Sequence, residues 1–176
     1  MAELNSRDRL QPSLLDRLID HAPDAAKESL DARLLSRQQL RAAVLRDLSW
    51  LFNATRAEPD LNSVRTEELA LWQGVDLARH SVLNYGMPAY SGVTLSSMDG
   101  HAIERSVEQA IRDFEPRIDP KTLRVEVKVE SSDEHHNTLK IVIRGQMWSQ
   151  PVPLELLLAA DLDVETGHTR VRELRA

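Results

Sequence analysis

The stretch AIRDFEPRIDPKTLRVEVKV, Ala110 to Val129, holds two periodicities that no single element can accommodate. Ile111 and Phe114 continue the helical spacing set by Ile103 and Val107. Leu123, Val125, Val127 and Val129 then alternate with Arg124, Glu126, Lys128 and Glu130, the period of a half-buried strand. A helix must therefore stop at Glu115-Pro116-Arg117, and a sheet must begin a few residues later.

The chain before this joint reads as helices and the chain after it as strands. Ser13 to Pro23 is a short amphipathic segment with Leu14, Leu15, Leu18 and Ile19 at helical spacing. Ser36 and Gln39 have capping-box spacing ahead of a helix whose buried face is Leu40, Val44, Leu48 and Leu51, widened by Leu45 and Phe52. That helix should end near Asn53, with Trp50 off the stripe. Residues 56–80 show mixed spacing. In Ser81 to Gly92, Gly86 is placed to end a helical turn in the left-handed conformation, Pro88 prevents its resumption, and Tyr85 and Tyr90 pack the loop. The helix over MDGHAIERSVEQAIRDF is capped around Ser97 to Asp99.

After the first strand, SSDEHHNT reads as a hairpin loop, and LKIVIRGQM returns with Leu139, Ile141, Ile143 and Met147 inward. Val152 to Leu162 is apolar on both faces in its middle, which makes it a central strand, and TRVREL closes the meander. The fold class is α+β: N-terminal helices followed by a mostly antiparallel sheet of about four strands packed against helices. Residues 1–35 read as an extension carrying the amphipathic segment, and residues 36–176 as the α+β domain.

A net charge of −6 argues against a nucleic-acid partner, which calls for a basic stripe. No cysteine is present, so disulfides and thiolate metal sites are excluded. The N-terminus lacks the apolar run of a signal peptide, and PLELLLAADL is too short to cross a bilayer, so a cytoplasmic chain without direct membrane insertion is expected. Arginine outnumbers lysine 18 to 4, which fits either forked ion pairs or a biased genome composition.

Glu115 contradicts a local rule. A carboxylate at a helix C-terminus faces the negative end of the macrodipole, so something else must answer its charge. Three readings stay open: an internal pair with Arg117, a partner-facing group, or a catalytic acid. The last needs a second converging carboxyl; Asp113 and Asp119 are near in sequence but on no separate element. His135-His136 lacks a third ligand, and His80, His101 and His168 are isolated, so neither a metal nor a cofactor is expected. Leu14, Leu15, Leu18 and Ile19 either pack in cis or enter a partner's groove. The sheet's edges either take up a partner's strand or are guarded by Arg124, Lys128, Lys140 and Arg144.

Five stretches, SLLDRL, LRDLSWLFN, SVLNYGMPAYSG, AIRDFEPRI and ADLDVETGHTRV, occur in the order seen in TssE. On these the chain resembles the TssE family of type VI secretion baseplate subunits, similar to the T4-type phage baseplate wedge and also labelled lysozyme-like. The resemblance implies a non-enzymatic scaffold that binds the wedge subunits TssF and TssG, adjoins TssK, and nucleates the contractile sheath of TssB and TssC. It implies assembly at the inner face of the cytoplasmic membrane, with Glu115, Pro116 and Arg117 holding the TssF–TssG core bundle and substitutions there leaving the subunit folded. The alternatives weighed are a peptidoglycan-hydrolysing lysozyme-like enzyme with Glu115 as acid, and a regulatory anti-adaptor-type binding module of the same fold.

Overall fold

The computed structural model describes residues 13–19, 23–24, 36–59, 66–90, 98–129, 138–148 and 153–174. Among the described residues, five α-helices precede a four-stranded antiparallel sheet: α1 Leu14–Leu18, α2 Arg37–Asn53, α3 Thr66–Leu71, α4 Asp76–Arg79, α5 Gly100–Phe114, then β1 Arg124–Val129, β2 Thr138–Met147, β3 Leu154–Asp163 and β4 Thr169–Glu173. The strands lie side by side in chain order, β1-β2-β3-β4, as a meander. The α+β class read from the sequence is the class observed. The His135-His136 loop lies outside the described residues.

α2 begins where its sequence says. The Gln39 N–H donates to the Ser36 hydroxyl (3.2 Å), and the Ser36 N–H donates to the Gln39 side-chain oxygen (2.8 Å). Its Leu40, Val44, Leu48 and Leu51 are buried, as is Phe52. α5 is capped by Asp99 and buries Ile103, Val107, Ala110 and Ile111. These two faces meet the inner side of the sheet, where Leu123, Leu139, Ile143, Met147 and Leu158 are almost wholly removed from water. Each such side chain contributes roughly 1.5–3 kcal/mol of burial. β3 is an interior strand, as its apolar middle requires.

Both outer strands have edge groups taken by a helix side chain, β1 near its middle and β4 at its first residue. On β1 the Val127 N–H donates to Glu104 of α5 (3.0 Å). On β4 the Thr169 N–H donates to the Asn53 side-chain oxygen (2.9 Å), and the Asn53 amide donates back to the Thr169 carbonyl (2.8 Å). A side chain in these places satisfies groups that would otherwise template another strand. β4 pairs with only Leu158–Leu162, so the start of β3 outruns it; there the Arg41 guanidinium donates to the Glu155 carbonyl (3.0 Å).

Two details differ from the sequence reading. The N-terminal helix ends at Leu18, because Ile19 is already extended, although its N–H still reaches the Leu15 carbonyl. Its five residues bury no apolar side chain, and so short a helix has little propensity of its own to continue. Gly86 does not cap a helix in the left-handed region. A 3-10 turn, Val82–Asn84, ends at Tyr85, and Gly86 follows at φ +125°. The cause is a close crossing: a Cβ on Gly86 would lie 2.5 Å from the Ala54 carbonyl oxygen. Among the described residues no helix is long and apolar enough to cross a membrane.

Candidate functional site

The joint between helix and sheet is a closed ion-pair lock. Pro116 stops α5, and the Ile118 N–H turns back to the Glu115 carbonyl (3.2 Å). The chain then runs against the end of β2, with Ile118 bridged to Met147 and the Trp148 N–H donating to the Arg117 carbonyl (3.0 Å). This fold-back holds Glu115 inside, 3% exposed, and leaves Pro116 at the surface. Glu115 Oε1 accepts from Arg117 Nε (2.6 Å) and from the Arg117 backbone N–H (3.2 Å), while Oε2 accepts from Arg117 Nη2. The carboxylate at the wrong pole of the helix is thus answered from within the chain, by a fork two residues away.

The lock extends beyond the joint. Arg117 Nη2 also reaches Asp47 of α2 (2.5 Å). The other oxygen of Asp47 accepts from Arg46 Nε (2.8 Å), and Arg46 Nη2 forms an ion pair with Asp16 of α1 (2.8 Å). The Arg46 guanidinium lies 5.2 Å from the centre of the Trp50 ring, a cation–π contact. Burial disfavours the charged form of Arg117, but Glu115 and then Asp47 outweigh it and hold its pKa above the ordinary arginine value. Burial also works against ionised Asp16, and the Ser13 hydroxyl and Arg46 more than offset it, so its carboxyl sits below the usual range.

Tyr85 stands beside the same acids. Its ring meets Phe114 edge-on at 5.2 Å, and burial, with Asp47 and Glu115 nearby, pushes its phenol pKa up. Asp16, Asp47, Tyr85 and Glu115-Arg117 come from four of the five stretches singled out in the sequence. Their common feature in three dimensions is this chain of charges. Asp16, Arg46 and Asp47 were not legible beforehand, since polar residues on helices read as a solvated face.

α1 is inverted relative to an ordinary amphipathic helix. The side chain of Asp16 is 9% exposed, whereas Leu14 and Leu18 are 76% and 75% exposed, and Leu15 and Ile19 also face water. The helix is attached in cis by its charge, and its apolar stripe remains uncovered among the described residues.

Among the described residues the carboxyl that converges on Glu115 from another element is that of Asp47, and Arg117 bridges the two rather than leaving a cleft between them. A groove of about 730 Å³ runs past Arg41, Gln146, Glu155 and Glu173 at the start of β3, and neither Glu115 nor Arg117 lines it. Among the described residues no group of three or more His, Asp or Glu is placed to hold a metal. His80 instead contacts Asp113 (2.9 Å) and His101 contacts Glu104 (2.8 Å).

The chain is a helix-and-meander domain of the α+β class in which Glu115, Arg117 and Asp47 join the helix–sheet joint to α2. The chain belongs to the baseplate wedge protein gp25 family, the family of TssE, whose model matches residues 38–152. It is therefore a structural baseplate component, of a family that interacts with other baseplate proteins. No curated protein and no solved structure matches the chain.

Proposed function

We propose that this chain is a TssE-type adaptor that docks on the TssF and TssG wedge subunits through the Glu115-Pro116-Arg117 joint and the outward stripe of α1. The observation that carries this reading is an unmade bond. Arg117 gives Nε and Nη2 to carboxylates, yet its Nη1 is buried with no partner among the described residues. An unpaired buried donor is costly, and the shortfall ends if docking shifts the side chain so that a partner supplies a carbonyl or carboxylate. Exposed Pro116 marks the direction of approach. Residues 1–35 then serve as the extension and residues 36–176 as the wedge domain.

Sheath contact is assigned to the start of β3, where Leu154 to Leu156 outrun β4 and a strand can add by main-chain bonding once Arg41 releases the Glu155 carbonyl. TssK, TssB and TssC complete the neighbourhood, on the cytoplasmic side of the inner membrane, with no enzymatic role for Glu115.

Arg117→Lys separates docking from folding, because it keeps the charge on Glu115 but loses the fork. The variant is expected to remain folded and to reduce co-purification with TssF and TssG by at least about tenfold, the loss of one buried charged contact at an interface. Wild-type recovery of the complex would overturn the docking role.

The apolar stripe has its own test. Leu14→Ser with Leu18→Ser should leave the melting temperature within about 2 °C, because exposed positions contribute little to stability. Recovery of TssF and TssG should fall. A destabilised free subunit would place the stripe in the chain's own core instead.

A further inference from the structure

Three acids share two guanidinium groups along the line from the joint to α1. Glu115 and Asp47 meet on Arg117 Nη2, and Asp47 and Asp16 meet on Arg46. Each contact on this line is therefore held against a competitor. Asp47, in the middle, is engaged on both sides. Its Oδ2 accepts from Arg117 Nη2 (2.5 Å), and its Oδ1 accepts from Arg46 Nε (2.8 Å). Arg46 Nη2 is left for Asp16 Oδ1 (2.8 Å).

Nε and Nη2 form one side of a guanidinium, the side that a single carboxylate can take with both oxygens. Arg46 divides that side between two acids because Arg117 detains the second oxygen of Asp47. With that oxygen released, Asp47 can close on both nitrogens and displace Asp16. The two rivals are unequal. Asp47 does more than Asp16 to hold the Arg46 pKa above the ordinary arginine value, against burial. Asp47 is also the neighbour of Arg46 on α2, whereas Asp16 belongs to a five-residue helix that buries no apolar side chain. The side chains of Asp16, Arg46, Asp47 and Arg117 are only 9–27% exposed, so water and salt screen the contest in part.

We propose that this line of charge is a release for α1. Arg117 keeps α1 seated by occupying Asp47, and a partner's acceptor that draws Arg117 away sets α1 free, with its leucines already outward. The trigger rests on the docking reading above, whereas the coupling between Arg117 and α1 is a property of the free chain. A static brace makes the opposite forecast for Asp47, since a brace that loses its middle link loosens at its end.

The test uses the full chain. It has no cysteine, so Leu14→Cys on α1 and Gln38→Cys on α2, both exposed positions, carry two nitroxides whose separation is read by pulsed dipolar electron spin resonance. A narrow distribution is expected for seated α1, and Asp16→Ala should broaden it. Arg117→Ala should lower the ratio of seated to released α1 at least about threefold, the scale of coupling within one charge network. Asp47→Ala should leave the narrow distribution intact, and adding it to Arg117→Ala should restore that distribution. The release is overturned if Asp47→Ala broadens the distribution as Asp16→Ala does, if the double variant does not recover, or if Arg117→Ala leaves α1 seated. A broad distribution before any of these substitutions also overturns it. Asp47→Ala keeps the Glu115–Arg117 pair, so it decides the question even if Arg117→Ala fails to fold. Unchanged recovery of TssF and TssG by Arg117→Lys would remove the trigger and leave the coupling standing.

Discussion

Arg117→Ala should lower the stability of the free subunit by about 3 kcal/mol, well before any partner is considered. Glu115 is 3% exposed, and in the variant its carboxylate would keep only backbone contacts at the unfavourable end of α5. Orphaning one member of a buried pair costs about 3–5 kcal/mol. The lower end applies because Arg117 is itself part-exposed, and its removal opens a path for water. For a chain of this length the melting temperature should drop by roughly 6–12 °C. Glu115→Gln should cost less, since Arg117 retains Asp47 and the amide oxygen can still accept. Thermal denaturation of both variants decides the matter. Equal, small losses would show that the lock carries little of the fold's stability, in contrast to its burial. The sequence-based expectation that such variants stay folded now has a condition attached: assembly defects in Arg117→Ala must be read against its reduced stability.

Gly86→Ala is expected to be at least as damaging, for a reason unrelated to charge. At φ +125° an L-residue is strained by about 1–3 kcal/mol. Its Cβ would also lie 2.5 and 2.7 Å from the Ala54 carbonyl and 2.9 Å from the Arg56 nitrogen, all backbone atoms. These cannot swing aside, because Met87 pairs with this segment through two main-chain bonds, Met87 N–H to the Ala54 carbonyl (2.8 Å) and Arg56 N–H to the Met87 carbonyl (2.9 Å). Overpacking adds a further penalty of about 1–3 kcal/mol, so a total near 4 kcal/mol is expected. Gly74 is the control. Its φ is +72° and nothing lies within 4 Å of its virtual Cβ, so Gly74→Ala should cost only about 1–2 kcal/mol. Urea unfolding of the pair checks this. Similar midpoints would mean that the 54–56 crossing yields, and that Tyr85 is not fixed beside the lock by it.

What could be read from the residues, and what could not, divides along one physical line. α2, α5 and the meander were legible because each writes its burial into a period: Leu40, Val44, Leu48 and Leu51 on one, Leu123 and Val125 on another. Residues 66–83 gave no period because burial does not organise them. Leu71, Leu77, Val82 and Leu83 are all largely exposed, at 70% or more. Glu115 announced itself by opposing the macrodipole, yet the sequence did not disclose that Asp47, 70 residues from Arg117, closes the lock. Glu104 and Asn53 were equally silent as edge blockers. Contacts of this kind depend on which helix faces which strand end, and no local pattern encodes that.

The inverted seating of α1 carries a consequence for how the subunit behaves in solution. Coulomb attraction across Asp16 and Arg46 fades as dissolved ions shorten the screening length, whereas the aversion of Leu14 and Leu18 for water does not. The seating of α1 is therefore more sensitive to the composition of the medium than the packing of the sheet is. Salt thus loosens the charge contact that seats α1 while leaving its outward leucines as averse to water as before.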